Sequence, residues 1–188
     1  MLHELTSGDD ARAESVVPDF VRLGEAALHS LTQLIESANP DHRWWALRTL
    51  TAMNFPMAQV LLRESLADPD PSVRQCAALG LREQASSSAI APLIDALHDP
   101  DRLVARLAGD ALIAIGTEAI PALSRSLRSS DPNVRIEAAR ALAGMKDPQI
   151  SSALFSALDD PSRMVEYWAE QGLERLGIGM VFFKPKAG

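Results

Sequence analysis

Apolar positions in this chain recur on two nested periods. Along the longer one, Ala46, Ala77, Ala108, Ala138 and Ala169 stand 31, 31, 30 and 31 residues apart, and Leu50, Leu81, Leu112, Leu142 and Leu173 keep the same register. An earlier column, Leu31, Leu62, Leu93, Leu123 and Leu154, repeats with those spacings and is followed four residues later by Ile35, Leu66, Leu97, Leu127 and Leu158. Two apolar columns per unit predict two helices per unit. The shorter period is helical. Val134, Ala138 and Leu142 lie at i, i+4 and i+8 and form one stripe, whose small central Ala lets a neighbouring helix come close. Regular recurrence at this length predicts stacked supersecondary units that share a core through their neighbours.

The junctions are also legible. Asp70-Pro71, Asp131-Pro132 and Asn39-Pro40 each set a side-chain acceptor at an N-cap and a ring with preset φ at the first helical position. The predicted helix pairs are roughly 25–37 with 40–53, 55–67 with 71–84, 86–98 with 101–115, 117–129 with 132–145, and 148–158 with 162–176. Upstream, VVPDFVRLGEAAL aligns with AGDALIAIGTEAI, placing Phe20 in the Leu112 column and Gly24 in the Gly116 column. The expected organisation is one all-α domain over residues 1–188. It comprises a mobile N-terminus at 1–9, a half-repeat cap at 10–23, about five two-helix repeats at 24–176 and an apolar tail at 177–188.

Composition narrows the function classes. The 47% apolar content is enough to fill a core, and the 5% aromatic content beside abundant Ala and Leu favours packed helices over a β-sandwich. A net charge of −7 opposes the basic field that a phosphate backbone requires, so nucleic acid is disfavoured as a partner. One cysteine, Cys76, provides neither a disulfide framework nor a zinc cluster and suits a reducing cytoplasm. The opening MLHELTSGDD has no basic or apolar targeting region, and no stretch has the length and apolarity of a membrane span. The reading is a cytoplasmic chain without a membrane partner.

Segments such as DPDPSVRQCAALGL and SDPNVRIEAARAL resemble HEAT repeats, particularly the short bacterial form called phycobilisome lyase-like, over roughly residues 16–176. The resemblance implies a right-handed α-α superhelix, a HEAT-like solenoid. It also implies a scaffold more than a chemistry, although relatives include lyase subunits and some repair or hydroxylation enzymes. The Arg of the motif stands at Arg43, Arg74 and Arg135, which the resemblance makes a structural ladder bracing turns through an Asp of the next unit. Ala105 and Glu166 depart from it, so rungs are expected to be missing in the third and fifth units.

Counting 100° per residue from Ala138 turns three columns of the second helices away from the core. They are Trp44, Gln75, Arg106, Ile136, Tyr167; Arg48, Leu79, Asp110, Arg140, Gln171; and Thr51, Arg82, Ile113, Ala143, Glu174. In the resembling family this face is the concave one. Its four Arg against one Asp and one Glu make a positive strip on an acidic chain. Tyr, Trp and Arg are enriched at binding hot spots. Trp44, Arg48, Gln75, Arg82, Arg106, Ile136, Arg140 and Tyr167 are therefore the candidate contacts for a protein segment with acidic and apolar character. An ordinary solvated helix face is the competing reading. Trp45, Cys76 and Trp168, one column over, are expected at packing edges between repeats.

Catalytic constellations are lacking. His3, His29, His42 and His98 make no metal-binding helix motif, and the one His-Glu pair is His3-Glu4. Glycines such as Gly116, Gly144 and Gly177 fall at repeat ends, not in a phosphate loop, and the aspartates beside prolines read as helix caps. No cofactor, metal or catalytic residue is expected. The function expected is a non-catalytic scaffold or adaptor. The alternative is a subunit of a tetrapyrrole-protein lyase or chaperone. Five apolar residues in the tail, Ile178, Met180, Val181, Phe182 and Phe183, predict either a lid on the last repeat or docking on another copy or a partner.

Overall fold

A computed structural model describes residues 1–178 of the chain, and these form helices and 3₁₀ turns. They divide into two compact units, Met1–Ile115 and one that begins at Gly116.

In the first unit α1 (Leu2–Leu5) and α2 (Asp10–Leu23) precede three helix pairs. These are α3 (Leu28–Ile35) with α4 (Pro40–Met53), α5 (Pro56–Glu64) with α6 (Pro71–Glu83), and α7 (Ile90–Ala96) with α8 (Arg102–Ile115). The second unit has two pairs, α9 (Ile120–Ser126) with α10 (Pro132–Gly144) and α11 (Ser151–Ala157) with α12 (Arg163–Arg175). Second helices pack in series, α2 on α4, α4 on α6 and α6 on α8, and in the other unit α10 on α12. Most first helices are shorter than expected because they open as a 3₁₀ turn, at Gly24–Ala27, Ser87–Ala89, Gly116–Ala119 and Pro148–Ile150.

The repeating columns form the core. Ala46, Ala77, Ala108, Ala138 and Ala169 are all fully buried, as are Leu31, Leu62, Leu93, Leu123 and Leu154. Phe20 and Leu112 are both buried, and Gly24 and Gly116 both end a second-type helix at positive φ, +59° and +83°. Helix α2 packs on α4, as α4 packs on α6. The residues ahead of it differ from expectation. Residues 1–9 had been expected to be mobile, yet α1 forms and Leu5 is fully buried beside Val17, Phe20 and Trp45. Burying a leucine is worth about 1.5 to 3 kcal/mol, enough to dock one helical turn over the cap.

A second column of small residues sets how closely the second helices approach. Gly80 faces Thr51 on α4, where a Cβ would overlap Thr51 Oγ1 and stand 2.7 Å from Leu62 Cδ2. Gly172 occupies the equivalent place against Ala143 on α10.

The junctions are capped as the sequence predicts. Asn39, Asp70 and Asp131 accept the N–H groups of Asp41, Ser72 and Asn133 at 2.9, 2.8 and 2.8 Å. Asp101 accepts from Leu103 and Val104, and Asp147 from the Gln149 N–H and the Thr117 hydroxyl. These bonds hold the Asp70, Asp101 and Asp147 carboxyls below their ordinary range: for Asp70 the Ser72 hydroxyl leads, for Asp101 the Val104 N–H and for Asp147 the Gln149 N–H. Because the folded state lowers these values, their contribution is complete above the unfolded carboxylate pKa of about 3.9 and is lost as pH falls through the folded-state values. The urea midpoint is accordingly expected to vary little with these groups between pH 7 and about 5 and to fall steeply below about 4. Asp101→Asn should soften that fall.

Residues from 179 onward, including most of the tail expected to act as lid or docking segment, lie outside the described residues.

Candidate functional site

The arginines of the motif share one geometry. Arg43 grips Asp68 with two bonds of 2.8 and 2.7 Å, Arg74 grips Asp99 at 2.7 and 2.9 Å, and Arg135 grips Asp160 at 2.8 and 3.2 Å. Each Asp lies 25 residues on, and each Arg also donates through Nη1 to the carbonyls five and six residues before it. One side chain thus closes its own inter-helix turn and ties it to the next. These arginines are pushed above their ordinary value, led in each case by the bond to the aspartate. For Asp160, burial raises the carboxyl, but the Arg135 guanidinium and the Ser162 N–H outweigh it and hold it low. The position 25 after Ala105 is Ser130, so both members of that rung are missing from the sequence together.

The outward columns are less uniform than a helical wheel implies. In the first unit Trp44, Gln75 and Ile113 are half-buried, Arg82 and Arg106 are exposed, and Leu79 is 39% exposed. Arg48 donates to Glu14 on α2 at 2.6 Å, and Gln75 reaches Asp101 at 3.4 Å. In the second unit Tyr167 is 47% exposed, edge-on to Trp168, and Ile136 is half-buried.

Three positions expected on the open face are buried. Thr51 and Ala143 sit against Gly80 and Gly172, because that column faces the next second helix and not solvent. Arg175 further covers Ala143 by donating to its carbonyl at 3.0 Å. Arg140, expected to be a contact residue, is 7% exposed and its Nε donates to Glu137 at 2.7 Å. That salt bridge along the helix folds its side chain inward.

At the head of the first unit the starts of α2, α4 and α6 surround a cleft of about 730 Å³. One wall is Trp44, held edge-on to buried Trp45 at 4.8 Å and 80°. Asp10, Glu14, Asp41 and His42 line the rest with the loop at residues 6–8. His42 Nδ1 pairs with the Ser37 hydroxyl at 3.2 Å. Cys76 is buried behind this wall, its thiol directed to the Trp44 carbonyl at 3.6 Å, and burial pushes it up to about 12. Burial of this kind keeps the sulfur in its thiol form.

Gln84 is a structural group the sequence did not single out. Buried at the end of α6, it donates to the Thr51 carbonyl at 2.7 Å and the Leu50 carbonyl at 3.4 Å, closing the last turn of α4. Its one signal was a polar residue next to the Leu81 column. Among the described residues no group of three or more His, Cys, Asp or Glu is placed to hold one metal ion. No described helix is long and apolar enough to cross a membrane.

Paired helices, registered small-residue columns and an Arg–Asp ladder define a helical repeat protein. The family model for HEAT repeats matches residues 28–113 and again 90–174, and the chain belongs to that family. Among curated proteins no sequence match is found. Solved structures of like fold include YibA of E. coli, 19% identical with a TM-score of 0.61 over 93% of this chain and 71% of that one. The complex of CpcE and CpcF of phycocyanin lyase from Nostoc sp. PCC7120 is 24% identical, TM-score 0.51, covering 94% and 75%. A designed armadillo repeat protein in complex with the peptide (KR)4 is 17% identical, TM-score 0.51, covering 93% and 97%. At these identities the likeness is one of fold.

Proposed function

We propose that the chain is a non-catalytic interaction scaffold or adaptor that holds a segment of a partner protein against the outward side of its second helices. The observation that carries the reading is the surface of α4, α6 and α8. There half-buried Trp44 and Gln75 accompany exposed Leu79, Arg82 and Arg106, the mixture of aromatic, apolar and guanidinium groups that anchors protein interfaces. Opposite Arg82 and Arg106 the partner presents acidic side chains, and opposite Leu79 apolar ones. In the second unit Ile136 and Tyr167 remain contact candidates. Arg48 and Arg140 instead serve the surface through their carboxylate partners, Glu14 and Glu137. The designed armadillo neighbour, holding a peptide on a related fold, supports this use of stacked helices.

Charge reversal tests it. Arg82→Glu with Arg106→Glu is expected to weaken a co-purifying partner at least tenfold by titration calorimetry while leaving the unfolding midpoint within a few degrees; unchanged affinity would exclude this surface. The alternative, a tetrapyrrole lyase or chaperone subunit, requires an absorbance shift when a bilin is added, and the scaffold reading predicts none.

A further inference from the structure

The cleft at the head of the first unit has a chemistry of its own. Its described lining holds three carboxylates, Asp10, Glu14 and Asp41, and no lysine or arginine. Helix starts favour negative charge, and one N–H group at the start of each of α2, α4 and α6 is already met by a cap oxygen, of Asp9, Asn39 and Asp70 respectively. Glu14 is paired with Arg48, while Asp10 and Asp41 have no ion pair among the described residues and are exposed. Trp44, half-buried and held by its edge contact with Trp45, lines the same cleft.

An aromatic side chain already held in place in one cleft with two carboxylates that have no ion pair is an arrangement that takes an organic cation: the indole offers a negatively polarised surface, and the carboxylates offer charge-assisted acceptors. An acidic ligand would meet these carboxylates, and the guanidinium nearest them, Arg48, is already paired with Glu14. We infer that this cleft receives a lysine or arginine side chain from the segment that the scaffold binds. The inference rests on the interaction reading and adds to it a polarity. A basic residue of the partner lies at the Trp44 end, and its acidic and apolar residues lie toward Arg82 and Arg106. The cleft's volume, about 730 Å³, exceeds what one side chain needs and leaves room for the flanking backbone.

The test uses the full chain and a fluorescein-labelled dodecapeptide of alternating lysine and arginine, followed by anisotropy at 0.15 M salt. Two variants remove the same charge from different places: Asp10→Asn with Asp41→Asn in the cleft, and Glu118→Gln with Glu170→Gln on exposed positions of the other unit. The cleft pair is expected to raise Kd at least tenfold and the remote pair less than twofold, with Trp44→Ala as damaging as the cleft pair. The same peptide carrying acetylated lysines and citrulline should lose binding. Equal weakening by both pairs would mean general attraction to an acidic chain and would overturn the inference, as would unchanged binding in the cleft pair. The carboxylates are exposed, so their loss leaves the fold intact. If the peptide ignores the cleft while the Arg82 and Arg106 reversal still abolishes partner binding, the scaffold reading survives and only this inference fails.

Discussion

Replacing Asp99 with alanine is expected to cost about 3 kcal/mol of unfolding free energy, several times the loss from cutting a surface ion pair. Both members of this rung are almost covered, with side chains 12% and 8% exposed for Arg74 and Asp99. Removing the carboxylate strands a guanidinium that keeps only the carbonyls of Asp68 and Pro69, and it takes the acceptor from the Asp101 N–H, which now bonds Asp99 at 2.8 Å. An uncompensated buried charge is far more costly than the pair is stabilising, so Arg74→Met with Asp99→Leu should recover much of the loss. Asp68 also joins two rungs, accepting from Arg43 through its carboxylate and from Arg74 through its carbonyl. Losses from Arg43→Ala and Arg74→Ala should therefore fail to add in a double-mutant cycle. Urea unfolding measures all of these. Arg12→Ala, which removes an exposed pair with Asp9, is the control and should cost under about 0.5 kcal/mol.

The second large effect is expected at Gly172. In an ordinary helix interior, replacing glycine gains up to about 1 kcal/mol of helix propensity. Here a Cβ would overlap Leu154 Cδ1 and stand 3.0 Å from the Cα of Ala143, a backbone atom that cannot step aside unless α10 moves. Gly172→Val should therefore destabilise by about 2 to 3 kcal/mol, the range of overpacked cores. Gly172→Ala should lose less. The same valine at exposed Gly144, the last residue of α10, should cost much less. Thermal unfolding followed by circular dichroism separates the three.

These positions also show what the sequence contained. The Ala and Leu columns specified helix pairing and register because each repeat must present the same apolar stripe to its neighbours, and Asp-Pro and Asn-Pro specified the junctions by local capping chemistry. The N-terminal turn was missed because Leu5 is one apolar residue in a polar stretch, with no periodicity to reveal its burial. The outward face was legible only in part. A helical wheel measures angle from one core direction, whereas a second helix is flanked by other second helices on its sides. Thr51 and Ala143 therefore fell into the flank, where Gly80 and Gly172 draw the next helix close. Arg140 was counted as an outward charge because the wheel does not register a carboxylate three residues earlier, yet Glu137 holds it along the helix. The Trp44 cleft depends on α1, α2, α4 and α6 coming together, a long-range arrangement no single repeat encodes.

The proposed function places a partner on the second-helix side of the first unit. Site-specific photo-crosslinking in the native cell tests it most directly, with benzoylphenylalanine placed at Leu79, at Arg106 and, on the first helices, at exposed Met57 and Asp95. One discrete crosslinked species is expected from Leu79 and Arg106 and none from Met57 or Asp95. The same species from Met57 and Asp95, with Leu79 and Arg106 silent, would contradict that placement.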